Sequence, residues 1–468
     1  MAINNNGRAN VSEVSLRRVL GFWDIFFASL GGQSPFLSDL TYASVVLAIA
    51  GLAGPIAVII GTAVAFVNGF VVSRLSKRVT EAGGYYRYAV KYLGGSSTGF
   101  FIGWIYLIYA ILYGAAYVIG ASYLAQWILG IPWQYTLPIS LTLITIFAYL
   151  GIKISAKYAI FAGSLEMAAL IIISLVLLIE SHGVFFNPIN YMSSVSLPTL
   201  MLAVVYAIAI PTGYGTIAPL SGEVKRAREV VSRAVQAVII TGGALAALMV
   251  YATAVGGLSY MNLHDFLLFL NETASRGLSP VVIILHHFLG VLLDPIVIFA
   301  MINDGILGGL AYVLASSRTL YAMADDDALP SQLSLVNSKG NPVISVLISA
   351  LALDVIALVG TYVFSPFTAF LIFGFMSMLA NLIVHLSANM SLFRATMIKI
   401  KAVLYGVDTR RHIDRVIAIV ASIITIFTAA ESIIGAMNGM GLIELTIYLI
   451  ATLVIALYLV IRRFMRLK

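Results

Sequence analysis

Long apolar stretches alternate with short polar connections along almost the whole chain. A helix needs about 20 apolar residues to cross the roughly 30 Å hydrocarbon core of a bilayer, and twelve stretches reach that length. The pattern predicts an all-α integral membrane protein with twelve transmembrane helices. We place these spans near residues 22–50, 55–72, 98–129, 135–151, 158–179, 198–220, 234–258, 294–323, 343–363, 367–386, 416–437 and 442–461.

Two of the connections have a pattern of their own. Residues 259–293 contain the apolar segment SPVVIILHHFLGVLLDP, which is too short and too interrupted to span and predicts a helix over the outer mouth. Residues 390–413 are basic, and we expect them to lie at the membrane interface on the cytoplasmic side.

Two spans carry residues that break helices. Span 1 contains SLGGQSPFLSD at 29–39, and span 6 contains IPTGYGTIAP at 210–219. Proline removes a backbone donor and clashes with the preceding turn, and glycine weakens a helix further. Unsatisfied backbone at membrane depth is tolerated only against protein or a wet cavity. We therefore predict unwound segments near 31–36 and 210–216, facing each other at the bilayer midplane.

The positions of the two breaks suggest an internal repeat. They lie five spans apart, at corresponding places in spans 1–5 and 6–10, and an odd-numbered unit repeated in tandem inserts with inverted topology. Paired interrupted helices of this kind are the best sequence pointer to the central binding site of a transporter. A single break, by contrast, is often only a packing kink.

The basic residues fall on one side of this topology. With the N-terminus in the cytoplasm, Arg276 is the one residue of the 27 Lys and Arg outside the cytoplasmic segments. Cytoplasmic loops carry an excess of Lys and Arg, so the pattern favours this orientation. Because twelve is even, we expect both termini in the cytoplasm and a multi-pass protein of the cytoplasmic membrane.

Composition supports this class and excludes others. Charged residues make up 10% of the chain, against about 25% in soluble proteins. The net charge of +7 is explained by anchors facing anionic lipid rather than by nucleic acid. The chain has no cysteine, which excludes disulfides and thiol chemistry. It also lacks a GxxxxGK[ST] loop, so this chain does not use ATP through a P-loop.

Several stretches resemble the amino acid–polyamine–organocation superfamily of secondary transporters, in its amino acid permease type. They are GLAGPIAVIIG (51–61), RLSKRVTEAGGYYRYA (74–89), GFFIGWIYLIY (99–109), GYGTIAPLSGEVKRAREVVSRAV (213–235) and LASSRTLYAMADDDALP (314–330). The resemblance implies a LeuT-type fold with two inverted five-helix repeats and two added helices. It also implies alternating access driven by an ion gradient or by exchange.

On this basis the chain divides into five parts. We expect a cytoplasmic segment at 1–21, a first repeat at 22–180 with helices 1–5, and a second repeat at 198–389 with helices 6–10. The basic connection at 390–413 and helices 11 and 12 at 414–463 follow.

The sequence departs from the family pattern at three places. Span 1 reads Gly32-Gln33-Ser34-Pro35-Phe36, where the family has Gly-(Ser/Ala)-Gly-Ile-Phe. Ala209 replaces an aromatic gate residue, and Gly215 replaces an acid found in some relatives. The departures leave the identity of the substrate open.

The breaks offer the chemistry that an amino acid needs. The N-terminus of the outer half of span 1, from about Phe36, presents free N–H groups to a carboxylate. Carbonyls at Gly31, Gly32, Ile210 and Thr212 can accept from an ammonium. The predicted substrate-binding residues are Gly31, Gly32, Gln33, Ser34, Phe36, Tyr113, Ile210, Thr212, Gly213, Tyr214 and Gly215.

Span 3 carries a stripe of tyrosines on one helical face. Tyr106, Tyr109, Tyr113 and Tyr117 are spaced for one face. Buried tyrosines usually bond neighbouring backbone, so the stripe as a whole is interpreted as packing. By the family pattern Tyr113 lies level with the substrate.

Acidic residues inside spans are functional candidates by default. Glu166 in span 5 matches a position that is often Lys in proton-coupled and exchanging relatives, beside a serine pair that corresponds to Ser316 and Ser317. A carboxylate there can carry a proton or ligate a cation, and Asp304 in span 8 is the alternative. A structural role for Glu166 also remains open. We expect no cofactor beyond a coupling cation, proton or sodium.

Other function classes find less support. The six histidines are scattered and predict no metal site, and no catalytic set for an integral-membrane enzyme is visible. GYG at 213–215 lacks the Thr-Val and the fourfold repetition of a potassium filter. The leading interpretation is an amino acid transporter without nucleic-acid partners. A transporter of another small organic or inorganic solute, such as a polyamine or organic cation, and a channel are the alternatives. Substrate, coupling ion, transport direction and oligomeric state stay open.

Overall fold

The computed structural model describes residues 16–276, 278–290, 293–397 and 411–439. Within these ranges the chain is helical and forms no strand beyond an isolated bridge between Leu20 and Val224. The fifteen α-helices are α1 Phe22–Gly31, α2 Pro35–Ala50, α3 Gly54–Ser76, α4 Tyr85–Tyr92, α5 Ser96–Leu129, α6 Trp133–Leu150, α7 Ile152–Glu180, α8 Leu197–Ala209, α9 Ala227–Tyr260, α10 Leu263–Ser275, α11 Pro280–Leu289, α12 Leu293–Asp325, α13 Val343–Phe364, α14 Pro366–Met397 and α15 Arg411–Gly439.

Ten helical stretches of the described chain are long and apolar enough to cross a membrane. The predicted span near 442–461 lies outside the described residues, so the twelve-helix arrangement stays a prediction. The connection over residues 259–293 contains two short helices, α10 and α11, where the sequence predicted one.

Local sequence explains where several helices begin. Pro35, Pro55, Pro198 and Pro280 each stand in the first turn of a helix, where the missing N–H removes no hydrogen bond and φ is already helical. At the end of α5, Gly130 adopts a φ of 67°, which a glycine reaches without strain. Proline and glycine therefore divide the apolar chain into separate helices.

Helix α5 lies at the centre of the bundle. It packs along α12 and α14, while α3 packs along α9 and α1 lies against α7. The four tyrosines of its stripe, at positions 106, 109, 113 and 117, are buried. This arrangement brings both broken helices against the tyrosine stripe.

Candidate functional site

The first break lies between α1 and α2. Helix α1 ends at Gly31 and α2 begins at Pro35. Ser34 adopts a left-handed φ of 44°, which turns the backbone out of the α1 hydrogen-bond ladder. As predicted, span 1 is interrupted within 31–36, and the first turn of α2 presents backbone N–H groups inside the bundle.

The second break follows α8. Helix α8 ends at Ala209, and a 3₁₀ segment, Ile210–Thr216, replaces the α-helix, with a non-helical ψ of 16° at Pro211. A second 3₁₀ segment, Ala218–Glu223, continues towards α9. The interruption of span 6 thus coincides with the predicted 210–216, although the backbone tightens to 3₁₀ geometry rather than extending.

The two breaks touch through their backbones. A Cβ atom at Gly213 would overlap the backbone N of Gln33, the carbonyl O of Ser29 and the carbonyl C of Gly32. No side chain fits there, because backbone atoms cannot swing away as a flexible side-chain end can. Gly213 is therefore required for contact between the broken helices.

Gln33 joins the breaks to a third helix. Its Nε2 donates to the carbonyl O of Pro211 at 3.1 Å and to that of Val238 in α9 at 3.0 Å. Gly242 leaves room for this amide, since a Cβ atom there would overlap Gln33 Oε1. The side chain thus bridges span 1, span 6 and α9.

Tyrosine hydroxyls of α5 bond backbone carbonyls at both breaks. Tyr117 donates to the carbonyl O of Gln33 at 2.9 Å, Tyr113 to that of Ala209 at 2.7 Å and Tyr106 to that of Gly215 at 3.1 Å. Tyr109 pairs with Tyr312 of α12 at 3.2 Å. The stripe therefore packs as predicted, and it also satisfies carbonyls that the breaks leave outside regular helix.

The remaining side chains of the second break bond to protein groups. Thr212 donates to the carbonyl O of Ile208 at 2.6 Å. The Tyr214 hydroxyl lies 3.0 Å from Nε2 of His385 in α14, a residue that the sequence analysis left among scattered histidines. The location of His385 within an apolar span could have identified it from the sequence, because a buried polar side chain is costly and needs a partner.

A carboxylate from α12 lies at the start of α2. Oδ2 of Asp304 accepts the backbone N–H of Leu37 at 2.7 Å, and the backbone of Phe36 lies near the same carboxyl group. Ser34 donates through Oγ to the carbonyl O of Asp304 at 2.9 Å. The sequence predicted a substrate anion at the N-terminus of α2. In the structure an internal anion, the Asp304 carboxylate, occupies that position.

Glu166 lies beside Asp304. It is the middle residue of α7 and is 1% exposed. Its carboxyl group lies close to that of Asp304, and it accepts from the amide of Asn303, which in turn accepts from Tyr158. Asn303 and Tyr158 were not predicted, although the Asn-Asp pair inside an apolar span was a visible signal.

The predicted serine pair lies elsewhere. Ser316 donates to carbonyl groups of its own helix, and Ser317 donates to the carbonyl O of Leu314 while accepting from Arg318 at 2.9 Å. Twelve residues of helix separate Ser316 from Asp304, which corresponds to about 18 Å. The structure therefore does not bring Ser316 or Ser317 to Glu166.

Arg318 instead closes the end of the bundle at which residues 16–20 lie, here called the N-terminal end. It is fully buried and donates to both carboxylate oxygens of Glu223, at 2.8 and 3.1 Å. Val19 donates its backbone N–H to the carbonyl O of Glu223 at 2.8 Å, and Lys225 donates to that of Leu20 at 2.9 Å. The cavity behind this contact measures about 10 Å³, room for one water at most.

The opposite end of the bundle contains a larger cavity. It measures about 270 Å³ and extends between α2, α5, α8, α11 and α14. Its walls include Tyr123, Tyr206, Phe367 and Phe370, with Ser44 and Ser279 among the polar groups, and none of the described residues that line it is charged. Tyr206 lies about one helical turn before Ala209, the residue that replaces the aromatic gate of the family. An aromatic side chain is therefore still present near that position.

The other predicted residues lie at the first and second breaks. Gly31, Gly32 and Phe36 are buried there, and Ile210 begins the 3₁₀ segment opposite them. The structure therefore brings together the predicted residues of spans 1, 3 and 6, adds Glu166 and Asp304 behind α2, and leaves the serine pair apart. Within the described ranges, no three His, Asp or Glu side chains are arranged to hold a metal ion.

The sequence matches the model of the family described as "Amino acid permease" over residues 24–468. The chain belongs to the amino acid permease family. Relatives include the general amino acid permease AGP2 of Saccharomyces cerevisiae, 35% identical over 28% of this chain and 22% of that protein. The uncharacterized amino acid permease YvbW of Bacillus subtilis is 26% identical over 59% of this chain and 62% of its own length. Both matches thus span less than two thirds of the relative.

Solved structures agree with the fold. The manganese transporter of Eremococcus coleocola, in complex with an aromatic bis-isothiourea substituted compound, aligns with a TM-score of 0.53 over 98% of this chain and all of its own, at 13% identity. A histidine-to-alanine variant of that transporter gives 0.54 over 97% of this chain and 99% of its own, at 12% identity. At this identity the likeness concerns the fold alone. The family match supports a transporter rather than an enzyme.

Proposed function

We propose that this permease moves amino acids across the cytoplasmic membrane by alternating access, with the substrate bound between the breaks of spans 1 and 6. The observation that carries the proposal is the backbone contact at Gly213 between two broken helices. Paired discontinuous helices form the central sites of inverted-repeat transporters. The proposal includes a LeuT-type arrangement of twelve helices, with inverted repeats and both termini in the cytoplasm.

The two ends of the bundle support alternating access. One end is closed by Arg318, Glu223 and the pairing of residues 19–20 with 223–225, while the other contains the cavity of about 270 Å³. With the N-terminal end in the cytoplasm, this is an outward-facing conformation. Inward opening then requires the buried ion pair of Arg318 and Glu223 to separate or move together.

The lining of the cavity of about 270 Å³ indicates which class of substrate fits it. Its walls are aliphatic and aromatic, and its polar groups are hydroxyls without charge. An apolar side chain loses little on entering such a cavity, whereas a charged one would be desolvated without a partner. We therefore expect neutral amino acids with apolar side chains, and we take L-leucine as the probe.

Proton coupling is part of the proposal. Two carboxyl groups that are buried close together cannot both stay ionised without great cost, and Glu166 and Asp304 form such a pair. Sodium would need several oxygen ligands, but Ser316 and Ser317, the serines matched to the family pattern, donate to carbonyls of their own helix. The carboxyl pair therefore favours a proton as the coupling ion.

The test is uptake of labelled amino acids into proteoliposomes under imposed proton or sodium gradients. Saturable L-leucine uptake that is raised by an acidic exterior, and unaffected by sodium, is the expected result. If none of the twenty standard amino acids is taken up above protein-free liposomes, the proposed function is wrong. A rate that fails to saturate would indicate a channel instead.

A variant pair tests the coupling group. Glu166→Gln is expected to keep exchange of internal for external L-leucine while losing accumulation against a gradient, since the amide leaves Asp304 without the carboxyl group with which it shares a proton. Asp354→Asn is the matched control, because Asp354 is another intramembrane acid, on α13 and away from the breaks. Proton-responsive accumulation equal to that of the parent would reduce Glu166 to a structural group.

A further inference from the structure

The first turn of α2 has few free backbone donors. Pro35 has no N–H, and Ser38 donates its own to the carbonyl O of Ser34 at 2.8 Å. Phe36 and Leu37 remain; Leu37 donates to Oδ2 of Asp304 at 2.7 Å, and the N–H of Phe36 lies near the same carboxylate. An amino acid carboxylate that binds at this N-terminus therefore finds its donors already engaged by a side chain of α12.

We propose that the Asp304 carboxylate and the substrate carboxylate compete for these two N–H groups, and that the displaced Asp304 takes up the coupled proton. The inference rests on the proposed function, because it assumes a carboxylate-bearing substrate at the breaks. It adds the step by which substrate binding and proton binding become one event.

The surroundings of Asp304 make displacement expensive without a proton. Within the described part of the chain, the ionisable groups that face the pair are Asp39 of α2, Tyr117 of α5 and Tyr158 of α7, and the amide of Asn303 also contacts Glu166. These groups include carboxyls and phenols but no cation. A carboxylate that loses two N–H donors here remains buried without compensation, and such a charge is very costly.

The proton count follows from these contacts. With Asp304 on α2, the two carboxyls share one proton and carry one negative charge. When the substrate carboxylate accepts from Phe36 and Leu37, Asp304 takes a second proton from the outer aqueous side, and the pair becomes neutral. One proton thus enters with each zwitterion, and release of the substrate towards the cytoplasm returns Asp304 to α2 and frees that proton.

The experiment measures protons taken up when a ligand binds to the purified full-length protein. L-leucine is added in weak buffer with a pH indicator, and binding is followed in parallel by equilibrium dialysis. We expect about one proton per bound L-leucine. L-leucinamide, which has the ammonium and side chain but no carboxylate, is expected to bind with no proton uptake, and this comparison needs no variant.

Variants locate the proton. Asp304→Asn is expected to bind L-leucine without proton uptake, so that its affinity stops changing with pH. Asp39→Asn is the control, since Asp39 is equally buried on α2 and does not accept from Phe36 or Leu37; it should keep the proton uptake of the parent.

The possible failures are distinct. Transport of L-leucine with no proton uptake on binding, or proton uptake that persists in a folded Asp304→Asn protein, would overturn the inference and leave the proposed transport intact. Equal proton uptake with L-leucine and L-leucinamide would overturn it in the same way. Absence of L-leucine binding and uptake in the parent would remove the proposed substrate class, and with it the inference.

Discussion

The two helix breaks lie against each other, yet the protein stabilises them by different means. The first break has a charged contact, because the Asp304 carboxylate accepts the Leu37 N–H in the first turn of α2. The second is held by neutral groups: the 3₁₀ backbone at 210–216 and the hydroxyls of Tyr113 and Tyr106.

This difference assigns different tasks to the two breaks. A charge-assisted contact responds to protons and to substrate anions, whereas a 3₁₀ turn with hydroxyl partners responds mainly to shape. We therefore expect ion coupling to depend on the first break and substrate fit to depend on the second. The contact at Gly213 connects the two breaks, and we expect it to couple ion binding to substrate binding.

Replacement of Gly213 by alanine is expected to have the largest effect. The Cβ atom would overlap backbone atoms of Gln33, Ser29 and Gly32, and overpacking of this kind costs about 3 kcal/mol. That corresponds to a roughly 100-fold loss of substrate affinity. L-leucine uptake per folded protein is the measurement, with size-exclusion elution as the test of folding.

Gly215→Ala is the matched variant in the same 3₁₀ segment. Its Cβ would lie 2.8 Å from the Tyr109 hydroxyl, the end of a side chain that can shift, so the expected loss is about threefold. Equal losses at both glycines would contradict the special role of the contact between the breaks.

The breaks could be predicted because their signals are local. Proline and glycine act on the turn in which they stand, so SLGGQSPFLSD and IPTGYGTIAP located both interruptions within a few residues. The tyrosine spacing likewise placed four hydroxyls on one face, although not which carbonyls they reach. Local patterns predicted the helices and their ends better than their partners.

The charged contact could not be predicted in the same way. Asp304 and Leu37 are 267 positions apart, and only the packing of α12 against α2 joins them. For the serine pair, the spacing along the sequence was enough to show that it lies far from Asp304. A helical rise of about 1.5 Å per residue already separates Ser316 from Asp304 by more than any single ion can bridge.

A smaller effect is expected when Gln33 is replaced by leucine. The variant loses two amide hydrogen bonds, to Pro211 and to Val238, and leaves those buried carbonyls short of a donor, at a cost of about 2 kcal/mol. Thermal unfolding in detergent measures it. Gln236→Leu on α9 is the control, because the hydrogen bond from its amide to Ser73 is long, at 3.4 Å. Similar losses in both would mean that Gln33 does not clamp the breaks.

The smallest effects compare two hydroxyls of the same stripe. Tyr117→Phe removes a donor from Gln33 at the first break, and Tyr113→Phe removes one from Ala209 at the second. Each loss costs about 1 kcal/mol, or roughly fivefold in L-leucine affinity. Because Tyr117 also faces Asp304, its loss should change how the affinity for L-leucine depends on pH. Tyr113→Phe should weaken binding equally at every pH. Titration of L-leucine binding between pH 5 and pH 8 separates the two, and parallel pH profiles would contradict the division of tasks between the breaks.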